Sequence, residues 1–136
     1  MIETHKEVFC NLLRSTKREG IENVINELEQ IGFFEAPASA GHHLNCNGGL
    51  LEHSLNVCSA ALDLRTTMIQ RRPVVSGQLS KESVIIASLL HDVCKSNIYK
   101  ESIISRKNEQ GHWIKEPGYT VDCAELPLGH GEKTVI

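Results

Sequence analysis

The chain has 136 residues and a formal net charge of −3, with 40% hydrophobic and 23% charged residues. This length and balance predict one globular domain with a real core and exclude a disordered or fibrous chain. There is no basic excess to suggest duplex DNA or an anionic membrane as a partner, and no apolar run approaches the ~20 residues of a membrane span. Five scattered cysteines without a Cys-x-x-Cys pair favour reduced thiols in a cytoplasm over disulfides or a zinc ribbon.

Residues 1–32 are predicted to form a pair of short amphipathic helices. Apolar residues recur in both at spacings of three and four, the pattern of one buried helix face. The stripes are formed by Val8, Phe9, Leu12 and Leu13 in the first helix and by Ile21, Val24, Ile25, Leu28 and Ile31 in the second. Gly20 and Gly32 stand where glycine favours the end of a helix, so each helix is expected to close there.

Residues 33–49 contain small residues, proline and glycine and are interpreted as an ordered loop. A longer helix is expected from about Leu50 to about Arg71, because the residue before Pro73 cannot easily remain helical. Ser80 is a suitable N-cap for the next helix, which is predicted to run to about Lys95.

A β-hairpin is predicted over about residues 98–121. β-Branched and aromatic residues flank the polar turn from Asn108 to Gly111. Trp113, next to this turn, is expected at the surface. Residues 129–136 look like the opening of another helix, so the fold class is all-α with one inserted hairpin, in a single domain over residues 1–136.

The chemically informative residues are His53, His91 and Asp92. His53 shares a helix face with Val57 and Leu64, and His91 also follows an apolar face. A lone buried histidine more often bonds a backbone carbonyl than a metal. Asp92, however, lies near a helix C-terminus, where the helix dipole and burial both disfavour an anion. Lys95 could supply the missing cation, and a divalent metal would satisfy the carboxylate and both imidazoles together.

Three motifs in order resemble the HD-domain superfamily of metal-dependent phosphohydrolases: "GGLLEHS" at 48–54, "LLHDVCK" at 89–95 and "LPLGHGEK" at 126–133. The likeness covers roughly residues 33–136 and is strongest to bacterial HD domains of the type found with 3′–5′ exoribonucleases. It implies that His53, His91 and Asp92 bind one metal ion. It also implies that Lys95 contacts substrate phosphate and that His130 is a further metal ligand.

The resemblance also predicts a gap in the ligand set. The family completes its site with an Asp on a later helix, whereas six residues follow His130. Asp122 precedes His130 and is a poor substitute, so either the chain is a fragment without its C-terminal helices or the site is incomplete. An apolar surface around Leu50, Val57 and Leu64 is then expected to stay partly uncovered unless a second copy covers it, which makes a homo-oligomer an option.

Weaker candidates have ordinary explanations. His43, with His42 beside it, could touch substrate or a second metal, or could be a solvated loop residue. His130 could cap the short helix, Lys95 could simply favour a helix C-terminus, and Cys94 is best explained as a small core residue.

The leading hypothesis is a metal-dependent phosphohydrolase or phosphodiesterase acting on a nucleotide or oligonucleotide. Its substrate would be a phosphorylated small molecule or a single-stranded nucleic acid. Mixed imidazole and carboxylate ligands favour Mn²⁺, Fe²⁺, Zn²⁺ or Ni²⁺ over Mg²⁺. The alternative is a non-catalytic HD module that binds a nucleotide or a protein partner. A third reading is a helical scaffold in which the His-Asp doublet only caps a core helix.

Overall fold

The computed structural model describes residues 2–39, 44–97 and 99–121, and for residues 99–102, 120 and 121 it describes the backbone alone. Within these ranges the helices are α1 (Ile2–Ser15), α2 (Ile21–Gln30), α3 (Gly49–Arg71) and α4 (Lys81–Leu90). Short 3-10 helices follow α3 at Pro73–Gly77 and α4 at Val93–Asn97, and strands β1 (Tyr99–Lys107) and β2 (Trp113–Val121) form the hairpin. The predicted helical fold with an inserted hairpin is confirmed.

The ends of the first two helices differ from each other. α2 closes as predicted at Gly32, whose φ is 78°. Its amide donates to the Glu29 carbonyl, while the Phe33 amide donates to that of Leu28, the paired bonds of a Schellman motif. The prediction that α1 also closes at a glycine is wrong. Helix α1 ends at Ser15, and Gly20, with a φ of 85°, directly precedes α2 instead.

The early end of α1 has a local cause. The Ser15 hydroxyl donates to the Leu12 carbonyl and the Thr16 hydroxyl to that of Leu13. These short side chains and a tight backbone turn satisfy the last carbonyls of the helix, so the chain leaves the helix several residues before Gly20.

The core is centred on Phe9, Phe33 and Phe34, which are all the phenylalanines of the chain. The Phe9 ring lies 5.1 Å from that of Phe33 and 5.6 Å from that of Phe34, and all three side chains are buried. Val8, expected on the buried stripe, is 47% exposed because it lies one position off this face. Buried aliphatic residues around the rings are Leu13, Ile25, Leu28, Leu50, Leu51, Ile85 and Leu89.

Two glycines fix where α3 begins. Gly48 has a φ of 78°, in the left-handed region that favours glycine. A Cβ on Gly49 would lie 2.0 Å from the Leu44 carbonyl oxygen, so the backbone can pass there only without a side chain. The Leu50 amide also donates to the Ala36 carbonyl at 2.9 Å, which ties the start of α3 to the loop after α2.

α4 begins at the predicted cap, because the Ser80 side chain accepts a hydrogen bond from the Ser83 amide at 3.2 Å. It ends earlier than predicted, at Leu90 rather than Lys95. His91 and Asp92 form a turn, after which the chain tightens into the 3-10 helix. The Lys95 amide donates to the Asp92 carbonyl three residues back, so the last carbonyls are satisfied with 3-10 rather than α-helical geometry.

The hairpin pairs Tyr99 with Val121 at its base and Lys107 with Trp113 at its tip. It matches the predicted range of residues 98–121. In the part of the chain that the structure describes, no helix combines the length and apolarity needed to cross a membrane.

Candidate metal centre

Three predicted ligands, His53, His91 and Asp92, come together in the structure. His53 lies one turn into α3, whereas the His-Asp doublet lies at the end of α4, which packs against α3. Asp92 Oδ2 is 3.3 Å from His53 Nε2 and 3.2 Å from His91 Nε2, and the two imidazole centroids are 5.2 Å apart. The two helices thus direct two nitrogens and a carboxylate oxygen to one point.

The spacing of these atoms fits a shared metal ion. One donor atom from each residue can be chosen so that all three lie within 4.8 Å of one another. Two atoms that each lie about 2.0–2.2 Å from one ion are separated by about 2.8–3.6 Å at octahedral to tetrahedral angles. The contacts of 3.2 and 3.3 Å fall in that interval, so the Asp92 oxygen is spaced from each imidazole nitrogen as two ligands of one divalent ion are.

The hydrogen bonding of His91 also favours a cation at this point. Its Nδ1 is 2.6 Å from the Ser88 carbonyl oxygen, a contact that requires the proton to be on Nδ1. A neutral imidazole then presents a bare lone pair at Nε2, which faces the Asp92 carboxylate. Those two acceptors repel each other unless the imidazole is charged or a cation lies between them. A metal ion at His91 Nε2 would remove this repulsion, and the Ser88 carbonyl would then orient the imidazole as backbone carbonyls do in metalloproteins.

Asp92 is 5% exposed and needs positive charge near it. Lys95 supplies some, because its Nζ lies 3.2 Å from Asp92 Oδ2, as the sequence predicted. The lysine remains partly exposed at 22%, so its ammonium group is also within reach of solvent. One carboxylate oxygen therefore contacts two imidazoles and one ammonium group.

The surroundings of His53 are only partly as expected. Val57 is half-buried, but Leu64 is 61% exposed, so the apolar face of α3 is buried only in its first turns. Leu50, predicted to lie in an uncovered apolar patch, is fully buried in the core instead. The correction follows from the tight start of α3, which turns Leu50 towards the phenylalanine cluster rather than towards solvent.

Other sequence candidates have different outcomes. His42, His43, Asp122 and His130 lie outside the described residues, so their roles as ligands or substrate contacts stay predictions. Cys94 is buried, in agreement with a core role, and Trp113 is exposed as expected.

The sequence reading missed two features that shape the site. The Ser88 carbonyl fixes the orientation of the His91 ring. The sequence indicates this contact only through the position of Ser88, three residues before the histidine. The neighbour of His53, Ser54, is fully buried, and its hydroxyl meets no hydrogen-bond partner among the described residues. A serine on the buried side of a helix carries no distinctive sequence signal.

Comparison with known proteins gives one informative similarity. Over 65 residues the chain is 34% identical to the dihydroneopterin 2′,3′-cyclic phosphate phosphodiesterase of Methanocaldococcus jannaschii. The matched stretch is 48% of this chain and 25% of that enzyme, so the chain corresponds to a minor part of it. No family model and no solved structure matches the chain.

Proposed function

We propose that this chain carries the metal centre of a phosphoester hydrolase of the HD superfamily, acting on a nucleotide or an oligonucleotide. The observation that carries the proposal is the convergence of His53, His91 and Asp92 on one point. The partial similarity to a cyclic phosphate phosphodiesterase supports the same reaction class. The likeness of the three sequence motifs to those of the HD superfamily supports membership of that superfamily. The free cysteines of the described residues fit a reducing cytoplasm.

The described residues supply three of the proposed metal ligands, and His130, the fourth, lies outside them. Structural zinc sites are usually closed by four protein ligands, whereas catalytic sites keep three and leave a position open. Two imidazoles and one carboxylate converge here within the described ranges. This donor set suits Mn²⁺, Fe²⁺, Zn²⁺ or Ni²⁺ better than Mg²⁺, which prefers oxygen ligands.

When bound, such an ion supplies Lewis acidity for attack of water on the phosphorus. The residues of the chain do the rest. Asp92 brings negative charge to balance the ion and is itself held by Lys95. Through its Nδ1–H, His91 is held by the Ser88 carbonyl, so Nε2 keeps its lone pair for the metal. The partly exposed Lys95 ammonium group can neutralise a phosphate oxygen of the substrate beside the site, which makes it the second proposed catalytic residue with Asp92.

The alternative is a non-catalytic module that binds a nucleotide or protein partner through the same pocket. It shares the metal centre but predicts no turnover. Hydrolysis of bis-(p-nitrophenyl) phosphate and of a nucleoside 2′,3′-cyclic phosphate, with Mn²⁺ and with EDTA, distinguishes the two. We expect turnover that requires Mn²⁺ and is lost in His91→Ala, with His5→Gln as a histidine control on α1. Metal binding without turnover of any phosphoester would favour the alternative.

A further inference from the structure

The tip of the β-hairpin has two unlike faces. Cross-strand partners share a face, and successive residues alternate between faces. The register therefore assigns ten residues to the same side, and we call the six of them nearest the turn the tip face. The tip face consists of Ile103, Ser105, Lys107, Trp113, Lys115 and Pro117.

The opposite side of the hairpin is electrically balanced. Arg106 and Glu116 lie on it and form an ion pair. Ile104 lies beside Gly118 there, so closely that a Cβ on the glycine would be 2.5 Å from the isoleucine side chain. The tip face, in contrast, carries two lysines and no acid. The nearest acidic residue that the register assigns to this side of the hairpin is Glu101, two residues beyond Ile103, so the two lysines are in local excess at the tip of a chain whose net charge is −3.

Trp113 is the most unusual residue of this face. It is the one tryptophan of the chain and is 69% exposed. Lys107 Nζ lies 5.4 Å from the centre of its ring. Lys115 lies two residues further along β2, on the same face and about 7 Å away at the ordinary rise of a strand. An exposed aromatic ring thus has one ammonium group over it and a second lysine two residues further along the same strand and face.

The tip is held in a defined shape rather than left as a loose loop. The Asn108 side chain accepts hydrogen bonds from the amides of Gln110 and His112 at 3.0 and 2.9 Å. The backbone N–H of Asn108 donates to the His112 carbonyl at 2.8 Å, and Gly111 adopts a φ of 81°. These contacts fix the residue before Trp113, so the ring is presented at low entropic cost for a ligand.

We propose that the tip face binds single-stranded nucleic acid, with a base stacked on Trp113 and backbone phosphates on Lys107 and Lys115. An exposed ring flanked by cations is the chemistry by which proteins bind single strands without reading sequence. A duplex keeps its bases stacked inside, so it would use the lysines but not the ring. An acidic peptide would likewise leave the indole without a planar partner.

The length of β1 separates the tip face from the metal centre and sets the size of a ligand that could contact both. This part of the inference rests on the proposed function. β1 begins at Tyr99, four residues after Lys95, and the Lys107–Trp113 pair lies eight residues further along the strand. Eight residues of strand span about 26 Å. At a stacked rise of about 3.4 Å per nucleotide, a nucleic acid needs about eight nucleotides to cover this length of β1 alone, so only an oligonucleotide could contact both the tip face and the metal centre. A mononucleotide reaches one of them, so the hairpin would select oligonucleotides.

Titration of the full chain with 12-nucleotide oligothymidylate and oligouridylate in EDTA tests the proposal. Tryptophan emission reports on the tip alone, because Trp113 is the one indole in the chain. We expect quenching by the 12-mers and little effect of dinucleotides. By anisotropy of a labelled 12-mer, Trp113→Ala should weaken binding by at least about fivefold, and Trp113→Phe should restore most of it.

The lysines have a matched control. The double variant Lys107→Ala/Lys115→Ala should reduce the slope of log affinity against log salt by about 1.4, from about 0.7 per phosphate contact. Lys17→Ala/Lys81→Ala changes the net charge equally at two exposed lysines, one between α1 and α2 and one at the start of α4, and should leave the slope unchanged.

Two outcomes would overturn the proposal. One is equal binding of the 12-mer by the parent chain and Trp113→Ala. The other is tryptophan emission that depends on protein concentration and not on oligonucleotide, which would mean that a second copy covers the face. Because EDTA removes the metal, neither result depends on hydrolysis, and a failed turnover assay would leave the binding result readable.

Discussion

Replacement of Gly49 by alanine should disturb the start of α3 and, through it, the metal centre. The added Cβ would lie 2.0 Å from the Leu44 carbonyl oxygen and 2.9 Å from its carbon. Since ordinary carbon–oxygen contacts begin at about 3.3 Å, the loop or the helix must move by about 1 Å. Such overpacking costs about 1–3 kcal/mol, and we expect about 2 kcal/mol here because backbone rather than a flexible side chain is in the way.

Thermal unfolding followed by circular dichroism measures this effect. For a chain of this length, about 2 kcal/mol lowers Tm by about 4–8 °C. His53 lies four residues after Gly49, so its imidazole should shift and Mn²⁺ affinity should fall with stability. Gly77→Ala is the matched control, because nothing lies within 4 Å of its added Cβ, and it should be neutral or stabilising by up to about 1 kcal/mol. Equal Tm values for the two variants would refute the close approach at Leu44.

Three further predictions concern the helical part. Phe9→Ala should destabilise the fold by about 3–5 kcal/mol in urea unfolding, because the fully buried ring leaves a cavity; a loss below about 1 kcal/mol would contradict the cluster. Cys46 is exposed, whereas burial raises the pKa of the Cys10 thiol, so Cys46→Ser but not Cys10→Ser should remove a fast-reacting equivalent in a DTNB assay. The hydrogen bond from Arg14 lowers the pKa of the Glu22 carboxyl. That pair therefore stabilises above the unfolded value of about 4.3 and is lost as pH falls through the folded pKa. Glu22→Gln should accordingly lower Tm slightly at pH 7 and by progressively less as pH falls below about 4.3, and a loss that does not change with pH would contradict the pairing.

Much of the fold could be predicted from the sequence because its signals are local. The period of apolar residues predicted α1 and α2, Pro73 predicted where α3 ends, Ser80 predicted the start of α4, and the turn at Asn108–Gly111 predicted the hairpin. The ends of α1 and α4 could not be predicted as well. Both depend on which hydroxyl or tight turn satisfies the last carbonyls, and several residues compete for that role at each end.

The convergence of His53, His91 and Asp92 could be predicted from the sequence, whereas the backbone contacts around them could not. Asp92 could be identified from the sequence because a carboxylate at the end of an apolar helix requires a cation nearby. The structure places two imidazoles and Lys95 around it. The carbonyl of Ser88 and the close approach at Gly49 are backbone contacts, which side-chain chemistry does not reveal. The burial of Leu50 depends on the packing of three separate segments and was predicted wrongly for that reason.

The most direct test of the central claim is calorimetric titration of the metal-free chain with Mn²⁺. We expect one site per chain in the parent, carried by His53, His91 and Asp92, and its loss in His91→Ala and Asp92→Asn with helix content preserved. At a free concentration of one hundred times Kd, the ion should stabilise the parent by about 2.7 kcal/mol and leave both variants unchanged. Equal Mn²⁺ binding by the parent and both variants would contradict a metal centre at these residues.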